Sequence, residues 1–207
     1  HQEDQYVDFF NERNIPFMLS KQGPKAATGD INGDGLEDIF IGGAKGQASQ
    51  LYIQTANGFS KKEIPDFKTY SFNDITVAEF FDCDKDGDLD LFAGGGGNFA
   101  NAETGSLQNF LYLNDGKGMF TLNRGAVPPT LTNCGSVSLL DYNEDGFTDL
   151  FVGSRSVPQS YGQPPQSFLL KNSGNGTFED VTQTAAPAFL QLGMVTSSSV
   201  ADVNNDG

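Results

Sequence analysis

GDINGDGLEDIFIGG, residues 29–43, decides the fold. An acidic loop rich in glycine runs into a short Ile/Phe stretch that ends in two more glycines. The same order returns as FDCDKDGDLDLFAGG at 81–95, LDYNEDGFTDLFVGS at 140–154 and ADVNNDG at 201–207. The first aspartates, Asp30, Asp82, Asp141 and Asp202, stand 52, 59 and 61 residues apart, the spacing of a stacked repeat architecture. Each loop is preceded by an extended run such as ITVAEF from Ile75, and followed by a second strand, DIFIGG, DLFAGG or DLFVGS. A third strand follows (QLYIQT from Gln50, NFLYLN from Asn109, SFLLKN from Ser167), then a glycine turn and a fourth strand around Phe59, Phe120 and Phe178. The turns NDGKG and NSGNG supply the positive φ angles of a hairpin.

Four antiparallel strands in 50–60 residues make one propeller-type blade, which buries its apolar faces only against neighbouring blades. The chain is therefore read as all-β, with about three complete blades and partial blades at both ends, as a fragment of a larger propeller. Residues 1–25 are expected to hold the outer strand of a preceding blade and a linker, because QYVDFF from Gln5 resembles FEDVTQ from Phe178. Blades are expected at 26–68, 69–128 and 129–190, and the start of another at 191–207. Too few blades to close a ring imply a longer protein, or a second copy of the chain completing the ring as a homodimer.

Each complete loop reads D-x-[DN]-x-D-G-x-x-D. Oxygen-bearing side chains at alternate positions of a tight loop converge on one point, and glycine at the sixth position permits the turn. Hard oxygen donors without His or Cys select Ca²⁺. The expected side-chain ligands are Asp30, Asn32, Asp34 and Asp38; Asp82, Asp84, Asp86 and Asp90; and Asp141, Asn143, Asp145 and Asp149. Backbone carbonyls of Leu36, Asp88 and Phe147 would join them, giving three sites. The fourth loop, at Asp202, stops before its seventh and ninth positions. An EF-hand would need a Glu at position 12, where Ile41, Ala93 and Val152 stand. The middle loop carries the most carboxylates and should bind most tightly. Calcium is read as mainly structural, pinning a hairpin and cancelling the repulsion of clustered acids.

Composition narrows the function further. Of 207 residues, 27 are Asp or Glu and 12 are Lys or Arg, a net charge of −15 that repels nucleic acid and anionic lipid. No apolar run is long enough for a membrane span, so direct membrane insertion is not expected. The one histidine is His1, which excludes a Ser-His-Asp or Cys-His centre. Glu79, Glu103 and Asp115 offer no spacing that marks a glycosidase pair. The glycine runs at 42–46 and 94–97 lack phosphate-loop spacing and read as strand ends. Phe99, Tyr112, Tyr161 and Phe168 are weighed as a glycan-stacking surface against a core role, which strand aromatics take more often. Cys83 and Cys134 are expected at opposite ends of neighbouring blades, without a disulfide.

The four loops and their strands resemble the FG-GAP/VCBS repeat family, also found in integrin α-subunit propellers, with Phe40 to Ala44 similar to the FG-GAP element itself. The run from Leu19 to Gln54 is more specifically similar to bacterial relatives of cartilage acidic protein, the ASPIC/UnbV-associated group. The third element, Val152-Gly153-Ser154, departs from the pattern by lacking the double glycine. The resemblance implies a secreted or cell-surface protein without shared catalytic residues. The expected function is a non-enzymatic, calcium-binding module for a protein or glycan ligand. The alternative is a scaffold or catalytic part of a polysaccharide-processing enzyme whose active site lies in missing blades.

Overall fold

The computed structural model describes residues 5–98 and 107–204. Twelve strands are described, and they form three four-stranded antiparallel sheets, each a meander in chain order. The first contains β1 (Ala26–Gly29), β2 (Asp38–Ile41), β3 (Gln50–Thr55) and β4 (Gly58–Lys62). The second contains β5 (Asp74–Phe81), β6 (Asp90–Gly96), β7 (Phe110–Leu113) and β8 (Thr121–Leu122). The third contains β9 (Asn133–Leu140), β10 (Asp149–Ser156), β11 (Phe168–Asn172) and β12 (Phe178–Asp180). Helix is limited to short turns such as α1 (Pro65–Thr69) and α2 (Thr182–Ala185). The all-β reading and the blade-like sheets are thus what the chain adopts.

Register is repeated as faithfully as sequence. Gly29 pairs with Asp38, Phe81 with Asp90 and Leu140 with Asp149, so each acidic loop closes one hairpin in the same way. Two apolar layers hold the sheets together. Between the first two lie Ile31, Phe40, Leu51, Phe67, Phe80, Leu91 and Phe110. Between the second and third lie Phe81, Cys83, Phe92, Leu111, Leu150 and Leu170. Leu91 faces one layer and Phe92 the other, so every residue of β6 is buried and its sequence after Asp90 reads as a continuous run without polar side chains.

The strand-end glycines let successive repeats approach. A Cβ at Gly42 would lie 2.8 Å from Ile75 Cβ, and one at Gly94 would lie 2.7 Å from Cys134 Sγ. In both cases the next repeat's first strand fills the space. Gly153 occupies the same position in the third repeat, and there a Cβ would lie 2.6 Å from Val195 Cγ1. The Val195 N–H donates to Ser154 O at 2.9 Å, as the Ile75 N–H donates to Gly43 O at 3.0 Å. Ser198 is hydrogen-bonded to the hydroxyls of Ser136 and Ser138 on β9. The segment around 195–200 therefore lies beside β9, although it forms no ladder among the described residues.

The N-terminal expectation needs correction. Residues 5–10 are not an outer strand; Asp8–Phe10 forms a 3-10 turn. Asp8 is fully buried and accepts from the Ser20 backbone N–H and from Asn98 Nδ2. Those bonds, rather than a strand partner, set the local conformation.

Candidate metal centre

All three loops share one backbone course. Their fourth residues, Gly33, Lys85 and Glu144, and their sixth, Gly35, Gly87 and Gly146, all have positive φ. Two left-handed residues two positions apart curl the chain back on itself and turn the side chains at positions 1, 3 and 5 inward. Lys85 and Glu144 hold this conformation without being glycine. The curl is therefore imposed by the loop as a whole, at a local cost of about 1 kcal/mol each.

Position 1 organises the curl. Asp30 Oδ1 accepts from the N–H groups of Gly33 (2.8 Å) and Asp34 (3.1 Å), and Oδ2 from Gly35 (2.8 Å). Those bonds, Gly35 foremost, hold its carboxyl below the usual range. Asp82 accepts from Lys85 and Gly87, and Asp141 from Asp145 and Gly146. Position 3 accepts from position 5 in every loop: Asn32 from Asp34, Asp84 from Asp86 and Asn143 from Asp145. Position 5 in turn accepts from position 7, as Asp34 does from Leu36, Asp86 from Asp88 and Asp145 from Phe147. In the middle loop, carboxylate oxygens of Asp82, Asp84 and Asp86 all lie within 4.8 Å of one another, a set that could hold a metal ion. The outer loops place an amide oxygen, Asn32 or Asn143, where the middle loop has Asp84.

Position 9 is occupied differently. Asp38, Asp90 and Asp149 are fully buried. In each, one oxygen accepts from the residue at position 2 (Ile31, Cys83 or Tyr142) and the other from the end of the third strand (Gln54, Asn114 or Asn172). These aspartates fasten loop to sheet, and each oxygen keeps a second lone pair facing elsewhere. Burial raises all three above the ordinary carboxylate range, against the pull of those N–H bonds.

The sequence reading overlooked two asparagines. Asn114 Nδ2 donates to Leu89 O in its own blade and to Ile31 O in the preceding loop. Asn172 Nδ2 donates likewise to Thr148 O and Cys83 O. The signal was present, since both end a third strand ahead of a glycine turn, but turn chemistry alone already accounts for Asn there.

Asp88, at position 7 of the middle loop, stands where the third loop has Phe147. The Phe147 ring packs on Gly174 of its hairpin, and the Asp88 carboxylate faces the corresponding Gly116. Asp88 Oδ1 is shut from solvent without a hydrogen-bond partner among the described residues. Burial first, then Asp86, Asp90, Asp84 and Asp82, push its carboxyl from 3.8 up to about 6. A carboxyl raised on folding stabilises the fold only while protonated, so its help is complete below 3.8 and lost as pH rises through about 6. Asp88→Leu should therefore stabilise the metal-free protein at pH 7 by about 1 kcal/mol, roughly 2–4 °C in Tm. That gain should vanish near pH 4 in thermal melts recorded across the pH range.

The other singled-out residues are scattered. Glu79 is half-buried on β5, and burial raises its carboxyl. Asp115 caps the hairpin at 114–118, where the Met119 and Lys117 N–H groups lower it. Glu103 and Phe99 lie outside the described residues. Tyr112 and Phe168 are core residues rather than a stacking surface. Cys83 and Cys134 are buried free thiols, raised by burial.

A family model described as an FG-GAP-like repeat matches this chain twice, at residues 30–93 and 82–152. Among solved structures, a lectin from Agrocybe aegerita, described by its specific recognition of non-reducing terminal N-acetylglucosamine, is similar with a TM-score of 0.48 and 16% identity. The likeness covers 77% of this chain and 37% of that one. No curated protein matches the chain.

Proposed function

From the premise that this chain belongs to the family of FG-GAP-like repeats, we propose that it is a non-enzymatic propeller module whose three acidic loops bind Ca²⁺ and whose blades carry a binding surface for a protein or glycan outside the cell. The observation that carries the reading is the convergence of Asp82, Asp84 and Asp86 within 4.8 Å, in a loop whose backbone course recurs twice. An all-oxygen set with net negative charge suits a hard cation of calcium's size and flexible coordination.

In the middle loop the ion would be held by Asp82, Asp84, Asp86 and the carbonyl of Asp88, with Asp90 adding a free lone pair beside its two N–H bonds. The corresponding groups would serve in the outer loops: Asp30, Asn32, Asp34, Leu36 and Asp38; Asp141, Asn143, Asp145, Phe147 and Asp149. The bound ion supplies positive charge where the carboxylates repel one another. The chain's own residues do the rest. Position 1 fixes the curl, position 9 anchors it to the sheet, and Asn114 and Asn172 tie it to the adjoining repeat. Extracellular free calcium is high enough to fill even modest sites of this kind. Among the described residues, no helix is long and apolar enough to cross a membrane.

Calorimetric titration with CaCl₂ tests the proposal. Three sites are expected, the middle loop filling first because it has the most carboxylates, with Mg²⁺ a poor competitor. Absence of heat and of any Tm change at millimolar calcium would overturn it.

A further inference from the structure

The end of the inner strands away from the acidic loops has the opposite electrostatic character. A hollow of about 230 Å³ lies there, lined by Gln22, Lys25, Thr76, Cys134, Gly135, Arg155 and Thr196. It holds two cations in a protein of net charge −15. Gly135 is six residues before Asp141 along β9, so the acidic loop is about 20 Å away, more than two Debye lengths at physiological salt. The loops therefore do not neutralise this pair of charges.

Arg155 is the unusual member. Its side chain is half-buried, yet among the described residues no carboxylate pairs with it. Phe17 presents its ring to the guanidinium, with the centroid 5.1 Å from Cζ. Gln22, turned so that its amide oxygen meets the group, places that oxygen 3.0 Å from Nε, 3.2 Å from Nη1 and 3.0 Å from Nη2. A point almost equidistant from all three nitrogens lies over the face of a planar guanidinium, not in its plane. Among the described residues no hydrogen-bond partner occupies the in-plane fork, the part that fits a carboxylate in bidentate fashion. Burial lowers the Arg155 pKa, with the Tyr161 hydroxyl acting against the shift and no carboxylate among the described residues doing so. An anion arriving here would restore that missing interaction.

We propose that this hollow binds the carboxylate of an acidic sugar, with the Arg155 fork on the carboxylate and Lys25 as the second charge. The volume is below that of pockets for drug-sized ligands, which suits a single ring rather than a folded chain. The remaining lining, the Gln22 amide with the Thr76 and Thr196 hydroxyls, can hydrogen-bond to ring hydroxyls. Thr76 Oγ1 already donates to Cys134 O at 2.8 Å, so it would act there as an acceptor. Glu79 lines the adjoining hollow with Lys25. The assignment names a ligand class for the module proposed above but uses none of the loop residues, so the calcium titration and the sugar titration fail separately.

The experiment is a titration of calcium-saturated protein with sodium glucuronate, with glucose and N-acetylglycine as parallel probes. Saturable glucuronate binding, at least tenfold tighter than either probe and weakened by added salt, is expected. Arg155→Lys, which keeps the charge but loses the fork, should weaken it tenfold or more at unchanged Tm; Lys25→Gln should weaken it a few-fold. Should Arg155→Lys fail to fold, Lys25→Gln alone decides. Glucose or N-acetylglycine binding as well as glucuronate, glucuronate not binding at millimolar concentration, or variants that bind like the parent would each overturn the assignment.

Discussion

Replacing Asp90 with alanine is expected to destabilise the fold by about 4 kcal/mol, with or without calcium. The carboxylate is buried to 1% exposure and accepts from the Cys83 N–H at 3.0 Å and the Asn114 N–H at 2.9 Å. Alanine leaves both donors buried without an acceptor, at about 1–3 kcal/mol each. Asp90→Asn keeps one acceptor and should fall between. Urea denaturation followed by fluorescence or circular dichroism measures this directly, with an unchanged m-value showing that the unfolded state is not involved. A loss under about 1 kcal/mol in chelator would mean that Asp90 acts only through the metal.

Asp86→Ala should behave in the opposite way. Among the described residues its side chain accepts only the Asp88 N–H, at the surface of the loop, so in chelator the variant should melt within about a degree of the parent. With calcium at a hundredfold over the parent's Kd, one filled site contributes about 2.7 kcal/mol. Losing it should lower Tm by roughly 5–10 °C. Paired melts in excess calcium and excess chelator provide the measurement. Equal melting of variant and parent in saturating calcium would remove the middle loop from the set of sites. Together the two substitutions separate a carboxylate that builds the hairpin from one that serves an ion.

The strands were legible because each repeat states them again: a segment such as DLFAGG is ambiguous alone but not beside DIFIGG and DLFVGS. The loops were legible for the same reason. Spacing could not reveal the role of position 9, since an aspartate that binds a metal and one that accepts two backbone N–H groups are the same letter at the same place. Only burial and the partners of Asp38, Asp90 and Asp149 distinguish the two roles. Residues 5–10 misled for a related reason. Their mix of apolar and acidic residues resembles FEDVTQ from Phe178, but Asp8 is engaged by Ser20 and Asn98, and among the described residues the segment pairs with no strand. Arg155 belongs to no motif at all. Its setting depends on Phe17 and Gln22, more than 130 positions earlier in the chain, which no local pattern can report.

Asn114 and Asn172 give the molecule a mechanical character. Each clips the lip of one acidic loop to the hairpin that follows, so the loops form a linked row rather than three separate hooks. Slack in one link would pass to the next, and an ion seated in one loop, as proposed above, would tighten the rim of its neighbour. Among the described residues the second repeat takes part in both clips, so it is the member of the row held from two sides.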